Sequence, residues 1–213
     1  MITFITVKGE SKRCPNKNKI LLPFVLEQVY DKLDVVVITD DEELKNIAKQ
    51  YNVNVFVETK DTQTSELNSI YNYLKVTNQL LIVKEFLHLP VTQPLTSNEL
   101  INSVISVDIT NYDFATTYTY VANRGIFLLN DDDTFKYDSY ERKGSLCERV
   151  KMVDGCIYKI KTEFLTRVIK SGNTNNYFWN KSKIKFIENY DDFIIDVDTP
   201  NDLRKFNKII KKR

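Results

Sequence analysis

Two short segments of this sequence carry residue types suited to phosphate and metal chemistry. The first is residues 8–18, KGESKRCPNKN, which lies between the apolar run Ile2 to Val7 and a mostly apolar stretch. Lys8, Lys12, Arg13 and Lys17 crowd cations into one turn, while Gly9 and Ser11 let backbone N–H groups approach an anion at a helix entrance. A cation beside a phosphate oxygen is worth ~1 kcal/mol in water and roughly 4 kcal/mol at an effective dielectric of 20, so several converging in a cleft could hold a triphosphate. The second segment is IIDVDTPNDL, residues 194–203. Asp196 and Asp198 stand two apart on a predicted strand and project from one face of it. Paired hard oxygens of this kind, completed by substrate phosphates and water, suit Mg²⁺. Thr199 can cap the helix that follows, Pro200 suits its first turn and Asp202 stands at the capping-box spacing.

Composition limits the other chemistries. Lys and Arg number 30 against 29 Asp and Glu, for a net charge of +1, so no global field recommends a nucleic-acid surface. The basic C-terminal residues Lys208, Lys211, Lys212 and Arg213 read as the dipole-compatible end of a helix. Cys14, Cys147 and Cys156 show no CxxC spacing and His88 is the one histidine, which leaves little material for a zinc site or histidine-based catalysis. Cys14 reads as a passive thiol, and His88, flanked by Leu87 and Leu89, as a structural ring. The cysteine usage fits a reducing, cytoplasmic setting. No stretch reaches the ~20 apolar residues of a membrane span, so the expectation is a soluble protein without membrane or nucleic-acid partners.

The elements that must position these segments follow from hydrophobic period. At 213 residues and 42% hydrophobic, the chain suits a single domain with its own core. Strand-like runs at Ile2 to Val7, Val35 to Thr39, Val53 to Val57 and Leu80 to Val83 alternate with helix-like Phe24 to Leu33, Asp41 to Tyr51, Ser65 to Lys75 and Ser97 to Val107. Pro23 is placed at the first turn of the first helix, the second starts with acids that suit a helix N-terminus, and serine or threonine caps near an acid open the third and fourth. This alternation predicts an α/β fold with a mostly parallel sheet flanked by helices. Residues 113–155 turn rich in Thr, Tyr and Phe around the polar turn Asn130 to Asp133, which predicts an antiparallel excursion. The alternating Thr and Tyr of residues 112–120 suit strand packing, across a dimer among other places. Helix-like Thr162 to Ile169 ends at Ser171-Gly172, the GNTNN stretch reads as a loop, and Ile184 to Ile187 and Phe193 to Val197 are strand-like before a final helix.

With these residues in place, the chain resembles the cytidylyltransferases that activate acidic nine-carbon and eight-carbon sugars, particularly the acylneuraminate (CMP-sialic acid) synthetase family. That family's A-R-G-G-S-K-x-x-x-x-K-N pattern is met by Val7 to Lys12 followed by Lys17-Asn18. S-T-D-D-x-E-I is similar to Ile38 to Leu44, and D-T-A-S-S to Asp61-Thr62-Gln63-Thr64-Ser65. L-Q-P-T-S-P-L-R is similar to Leu89 to Thr96, N-G-A-I-Y to Asp154 to Tyr158, and D-I-D-T-x-x-D-L to Asp196 to Leu203. The match runs along nearly the whole chain in the family's order.

The resemblance implies a Rossmann-like, GT-A-like nucleotidyltransferase fold, with residues 113–155 as a strand-rich dimerisation excursion and the chain a homodimer. It implies Mg²⁺-dependent attack of a sugar's anomeric hydroxyl on the α-phosphorus of CTP, with pyrophosphate leaving. By matching position, Lys8, Lys12 and Lys17, with Ser11, would hold phosphates; Gly9, Asn18, Thr64 and Ser65 would meet the nucleotide; Thr92, Gln93, Asp154 and Tyr158 would face the acidic sugar; Asp196 and Asp198 would bind metal. The chain departs from the pattern where Lys8 and Thr96 replace arginines, Glu10 a glycine, Pro90 a glutamine and Asp154 an asparagine. Those departures keep two other readings open: a nucleotide-sugar glycosyltransferase using the same aspartates, and a non-catalytic descendant that binds nucleotide or sugar.

Overall fold

The computed structural model describes residues 1–59, 65–122, 149–191 and 194–212. Its described residues form a seven-stranded sheet in the order β3-β2-β1-β4-β6-β5-β7, flanked by helices. The strands are β1 (Ile2–Val7), β2 (Asp34–Thr39), β3 (Asn54–Val57), β4 (Glu85–His88), β5 (Phe114–Ala122), β6 (Arg149–Lys161) and β7 (Ile184–Glu188). The helices are α1 (Lys17–Val29), α2 (Glu42–Gln50), α3 (Glu66–Val76), α4 (Asn98–Ser106), α5 (Thr162–Lys170), α6 (Thr174–Asn180) and α7 (Pro200–Ile210). β6 alone is antiparallel to its neighbours, so the predicted mostly parallel α/β sheet is what the chain builds.

Near-continuous apolar strands such as Val35 to Ile38 form because both faces of the sheet are covered. Alternate side chains of β1 and β2 enter two separate cores. Ile5, Val7, Val35 and Val37 pack with Leu22 and Leu26 of α1, Leu44 of α2, Leu100 and Val104 of α4 and Phe206 of α7. Phe4, Val36 and Ile38 pack with Ile70 and Leu74 of α3, Phe164 and Val168 of α5 and Phe178 of α6. The order 2-1-4 places the chain's reversal point between β1 and β4, and the loops leaving the carboxyl ends of those two strands open onto one crevice.

Several local expectations change. Leu80 to Val83 is a turn, with Leu81 87% and Ile82 74% exposed; the chain leaves α3 through left-handed Asn78 (φ 57°), and strand pairing starts at Glu85, where β6 offers partners. Helix α1 begins at Lys17, after left-handed Asn16 (φ 61°), and carries Pro23 inside it. Burial of Leu21, Leu22, Val25 and Leu26 compensates for the hydrogen bond that Pro23 cannot donate. The GNTNN stretch enters helix α6, because Tyr177 and Phe178 gain the second core by coiling there. Of the strand expected over Phe193 to Val197, Phe193 lies outside the described residues, and Ile194 to Val197 form no ladder; Val197 N–H donates to Thr92 O at 2.8 Å. The stems of the 113–155 excursion, β5 and β6, pair antiparallel as expected but are integral strands of the main sheet. Asn130 to Asp133 and Cys147 lie outside the described residues. Among the described residues, no helix is long and apolar enough to cross a membrane.

The final helix is closed as its sequence predicts. Thr199 accepts from Asp202 N–H at 3.3 Å, and Asp202 Oδ2 accepts from Thr199 N–H at 3.1 Å, with Pro200 in the first turn. This box fixes the direction in which the chain leaves Asp198. Thr199→Ala is expected to lower stability by about 1 kcal/mol, measured by denaturant unfolding, as loss of an N-cap hydroxyl does elsewhere.

Candidate active site

A cleft of about 830 Å³ opens at the carboxyl ends of β1 and β4. The β1–α1 loop forms one wall, the segment after β4 another, and the start of α3, the middle of β6, α6 and the Asp196 to Asp198 segment complete it. The two chemical segments, far apart in sequence, meet here.

The basic loop is held open by backbone and side-chain bonds that leave some cations outward. Lys8 and Lys12 are exposed residues at its rim. Ser11 Oγ accepts from Cys14 N–H at 3.3 Å, making a tight turn. Gly9 is required for close approach: a Cβ there would lie 2.6 Å from Asp41 Cβ and Oδ2. Its N–H donates to Asp40 Oδ1 at 2.7 Å, so that group serves the loop's own geometry, and Gly9 is not among the residues lining the cleft. Asn18 Nδ2 donates to Lys8 O at 2.7 Å, which fixes the amide and leaves its buried Oδ1 without a partner among the described residues, on the cleft wall. Ser69, one turn into α3, likewise presents a buried, unpartnered hydroxyl on that wall. Buried polar atoms of this kind are costly unless something meets them, and a ligand supplies the natural partners.

Lys17 joins the two segments. Its side chain is 6% exposed, and Nζ donates to Val197 O at 2.6 Å and to Asp198 Oδ1 at 2.8 Å. Arg13 meets the same carboxylate, with Nη1 2.9 Å from Oδ2 and Nη2 donating to Oδ1 at 3.1 Å. Asp196 is an exposed residue, yet the cleft walls around its carboxyl raise its pKa by desolvation, an effect opposed by a hydrogen bond from Thr92 and reinforced by the charge of Asp198.

The far end of the cleft is built from β6. Gly155 takes φ +63°, and the register of β5 against β6 shifts between Thr116 and Tyr118. Asp154 Oδ1 accepts from the Thr117 hydroxyl and from Cys156 N–H, and Oδ2 accepts from Asn189 Nδ2 at 3.0 Å. Gln93 Nε2 donates to Asp154 O at 3.1 Å. Tyr158 stacks on His88 with ring centroids 5.9 Å apart, and burial raises its phenol to about 12, keeping it a donor at neutral pH. Phe178 and Trp179 of α6 continue this wall.

A family profile described as Cytidylyltransferase matches residues 2–200. The chain belongs to the cytidylyltransferase family. Its reaction class is therefore transfer of a cytidylyl group from CTP. Structures of the same fold include a CMP:2-keto-3-deoxy-manno-octonic acid synthetase complexed with CTP, 16% identical, with 99% of this chain and 98% of that one covered and a TM-score of 0.73. The 4-diphosphocytidyl-2C-methyl-D-erythritol synthase from Anaerococcus prevotii is 15% identical over 99% of this chain and 98% of that one, with a TM-score of 0.61. A cytidylyltransferase from Leptospira borgpetersenii is 16% identical over 100% of this chain and 87% of that one, with a TM-score of 0.66. No curated protein matches the sequence significantly.

In this cytidylyltransferase, Lys8, Ser11, Lys12, Lys17, Asn18, Ser65, Thr92, Gln93, Asp154, Tyr158, Asp196 and Asp198 all line the cleft, whereas Thr64 lies outside the described residues. Ser65 caps α3, its Oγ accepting from Asn68 N–H at 3.2 Å. Glu66, Ser69, Phe178 and Trp179, which no sequence signal singled out, also line the cleft, as do Arg13, read only as a loop cation, and His88, read as a structural ring. Arg13 was legible as a loop cation; the aromatic pair was hidden because its Asn-rich surroundings read as a loop.

His88 is buried but not idle: Nε2 lies 3.1 Å from Thr6 Oγ1 and 3.8 Å from Glu66 Oε2. Burial lowers its pKa, with Glu66 opposing. A depressed folded value means that the unfolded chain binds the proton first. The stability His88 contributes is therefore present above its ordinary pKa of about 6.5 and is lost as pH falls through the folded value. Thermal unfolding from pH 8 to 5 is expected to show this loss in the native protein and a flatter profile in His88→Gln.

Proposed function

We propose that this cytidylyltransferase activates an acidic 2-keto sugar, its anomeric hydroxyl attacking the α-phosphorus of CTP as pyrophosphate departs. The observation that carries the reading is the Lys17 bridge, which brings the phosphate loop and the Asp196-x-Asp198 segment together on the wall of one cleft of about 830 Å³. The structural likeness to a 2-keto sugar acid synthetase complexed with CTP supports the acceptor class.

The chain's residues divide the work. Lys8, Lys12 and Ser11 at the mouth of the loop draw in the triphosphate, and Lys17, fixed beneath it, keeps positive charge at the reacting end. Asn18 Oδ1 offers an oriented acceptor to the nucleoside, with Ser65 and its neighbour in sequence, Thr64, assigned to the same role. Thr92 and Tyr158 face the acceptor sugar; Gln93 and Asp154 shape that end by bonding to each other and to β5. Asp196 and Asp198 fit Mg²⁺ by the chemistry of the donor set: both line the cleft, and two carboxylates completed by phosphate oxygens and water are the ligands this ion favours. Bound there, Mg²⁺ would offset charge developing on the phosphates.

The strand-rich excursion is assigned to homodimerisation, since Tyr120, Met152, Val153 and Phe186 leave apolar surface exposed around its stems. Sedimentation of the full chain at micromolar concentration is expected to give a dimer; a monomer removes this assignment. Pyrophosphate release from CTP, screened over several 2-keto sugar acids with Mg²⁺, is expected to find at least one substrate. Asp196→Asn and Asp198→Asn should each lower kcat/KM on the order of a hundredfold. Full turnover in both variants, or no CTP binding to the native protein, sinks the proposal.

A further inference from the structure

Asp198 is the carboxylate of the cleft that the protein's own cations occupy most fully. Arg13 forks onto both oxygens, at 2.9 Å and 3.1 Å, and Lys17 adds a third contact at 2.8 Å. The two cations are not equivalent. Lys17 is 6% exposed and also donates to Val197 O, so removing it from Asp198 would strand a buried charge. The Arg13 side chain is 69% exposed and projects from the phosphate loop, so it can leave Asp198 for water or for another anion at little cost.

We propose that Arg13 is a displaceable counter-ion of Asp198, which closes this carboxylate to a divalent cation until a nucleoside triphosphate draws the guanidinium away. The proposal rests on the reading of Asp196 and Asp198 as a cation-binding pair. The guanidinium fork takes one of the two lone-pair sites on each oxygen and Lys17 takes another on Oδ1, and two positive charges beside the carboxylate repel a dication. A triphosphate in the loop carries several negative charges against the single charge of Asp198, and arginine binds phosphate with the same planar fork. In the free protein Asp196 is the open member of the pair. Metal and nucleotide therefore enter together, and the exchange of Arg13 from carboxylate to phosphate links the two events. The exchange breaks no covalent bond and leaves Lys17 as the fixed partner of Asp198 throughout.

The test is a double-mutant cycle on CTP binding, measured calorimetrically in EDTA with the native protein, Arg13→Ala, Asp198→Asn and the double variant. Asp198→Asn frees Arg13, so metal-free CTP is expected to bind on the order of fivefold tighter than to the native protein. In the Arg13→Ala background the same change should shift affinity by less than about twofold, the general effect of removing one negative charge. In parallel, Mn²⁺ titration without nucleotide, followed by electron paramagnetic resonance, should show several-fold tighter binding to Arg13→Ala than to the native protein. Arg13→Lys, which keeps the charge without the fork, should fall between them. Equal effects of Asp198→Asn in both backgrounds, or Mn²⁺ affinity unchanged by Arg13→Ala, overturn the proposal. Absence of CTP binding to all four proteins counts against the cytidylyltransferase reading instead, and the Mn²⁺ comparison still decides the role of Arg13.

Discussion

A buried ammonium holds this site together. Lys17 opens α1, and its Nζ reaches across the crevice to Val197 O and Asp198 Oδ1, so the helix start and the segment before α7 are fixed to one another. A charge this deep is tolerated only with well-placed partners, and losing one of them leaves the other uncompensated. The basic loop, the carboxylate pair and the capping box at Thr199 are therefore tied to one another. Arg13 adds a second, exposed cation to the same carboxylate.

Sheet order decides what else can reach the site. β1 and β4 are adjacent and parallel, so the loops after Val7 and after His88 face each other across the reversal point. β6 runs the opposite way: its last four residues, Tyr158 to Lys161, lie alongside β4, and its middle comes just beyond the carboxyl end of β4 at His88. The left-handed Gly155 and the register shift between Thr116 and Tyr118 sit there, where an irregularity can aim Tyr158 into the cleft while Asp154 turns toward Thr117 and Asn189.

Polar bookkeeping separates scaffold from site. Gln93 and Asp154 are engaged in internal hydrogen bonds that set the shape of the far end of the cleft. Asn18 Oδ1 and Ser69 Oγ are buried on the cleft wall without partners among the described residues, so their hydrogen-bonding capacity is not met by the fold. Neighbouring polar residues thus have different roles according to whether the fold has already met their hydrogen-bonding capacity.

The mostly parallel α/β framework, the caps at Ser65, Ser97 and Thr199, the acidic start of α2 and the two chemical segments are legible in the sequence. Each of these rests on hydrophobic period, on a local side-chain-to-backbone bond, or on a string of residues within a few positions. Elements whose form depends on distant partners were not legible. Leu80 to Val83 has strand composition but no strand beside it, α1 runs through Pro23 because a core lies under it, and α6 forms because Tyr177 and Phe178 find the second core. Only the tertiary structure decided that Lys17 is buried, that Arg13 and Lys17 share Asp198, and that Phe178, Trp179 and His88 belong to the cleft. Those facts depend on contacts between residues as much as 185 positions apart, and local spacing carries no information about such contacts.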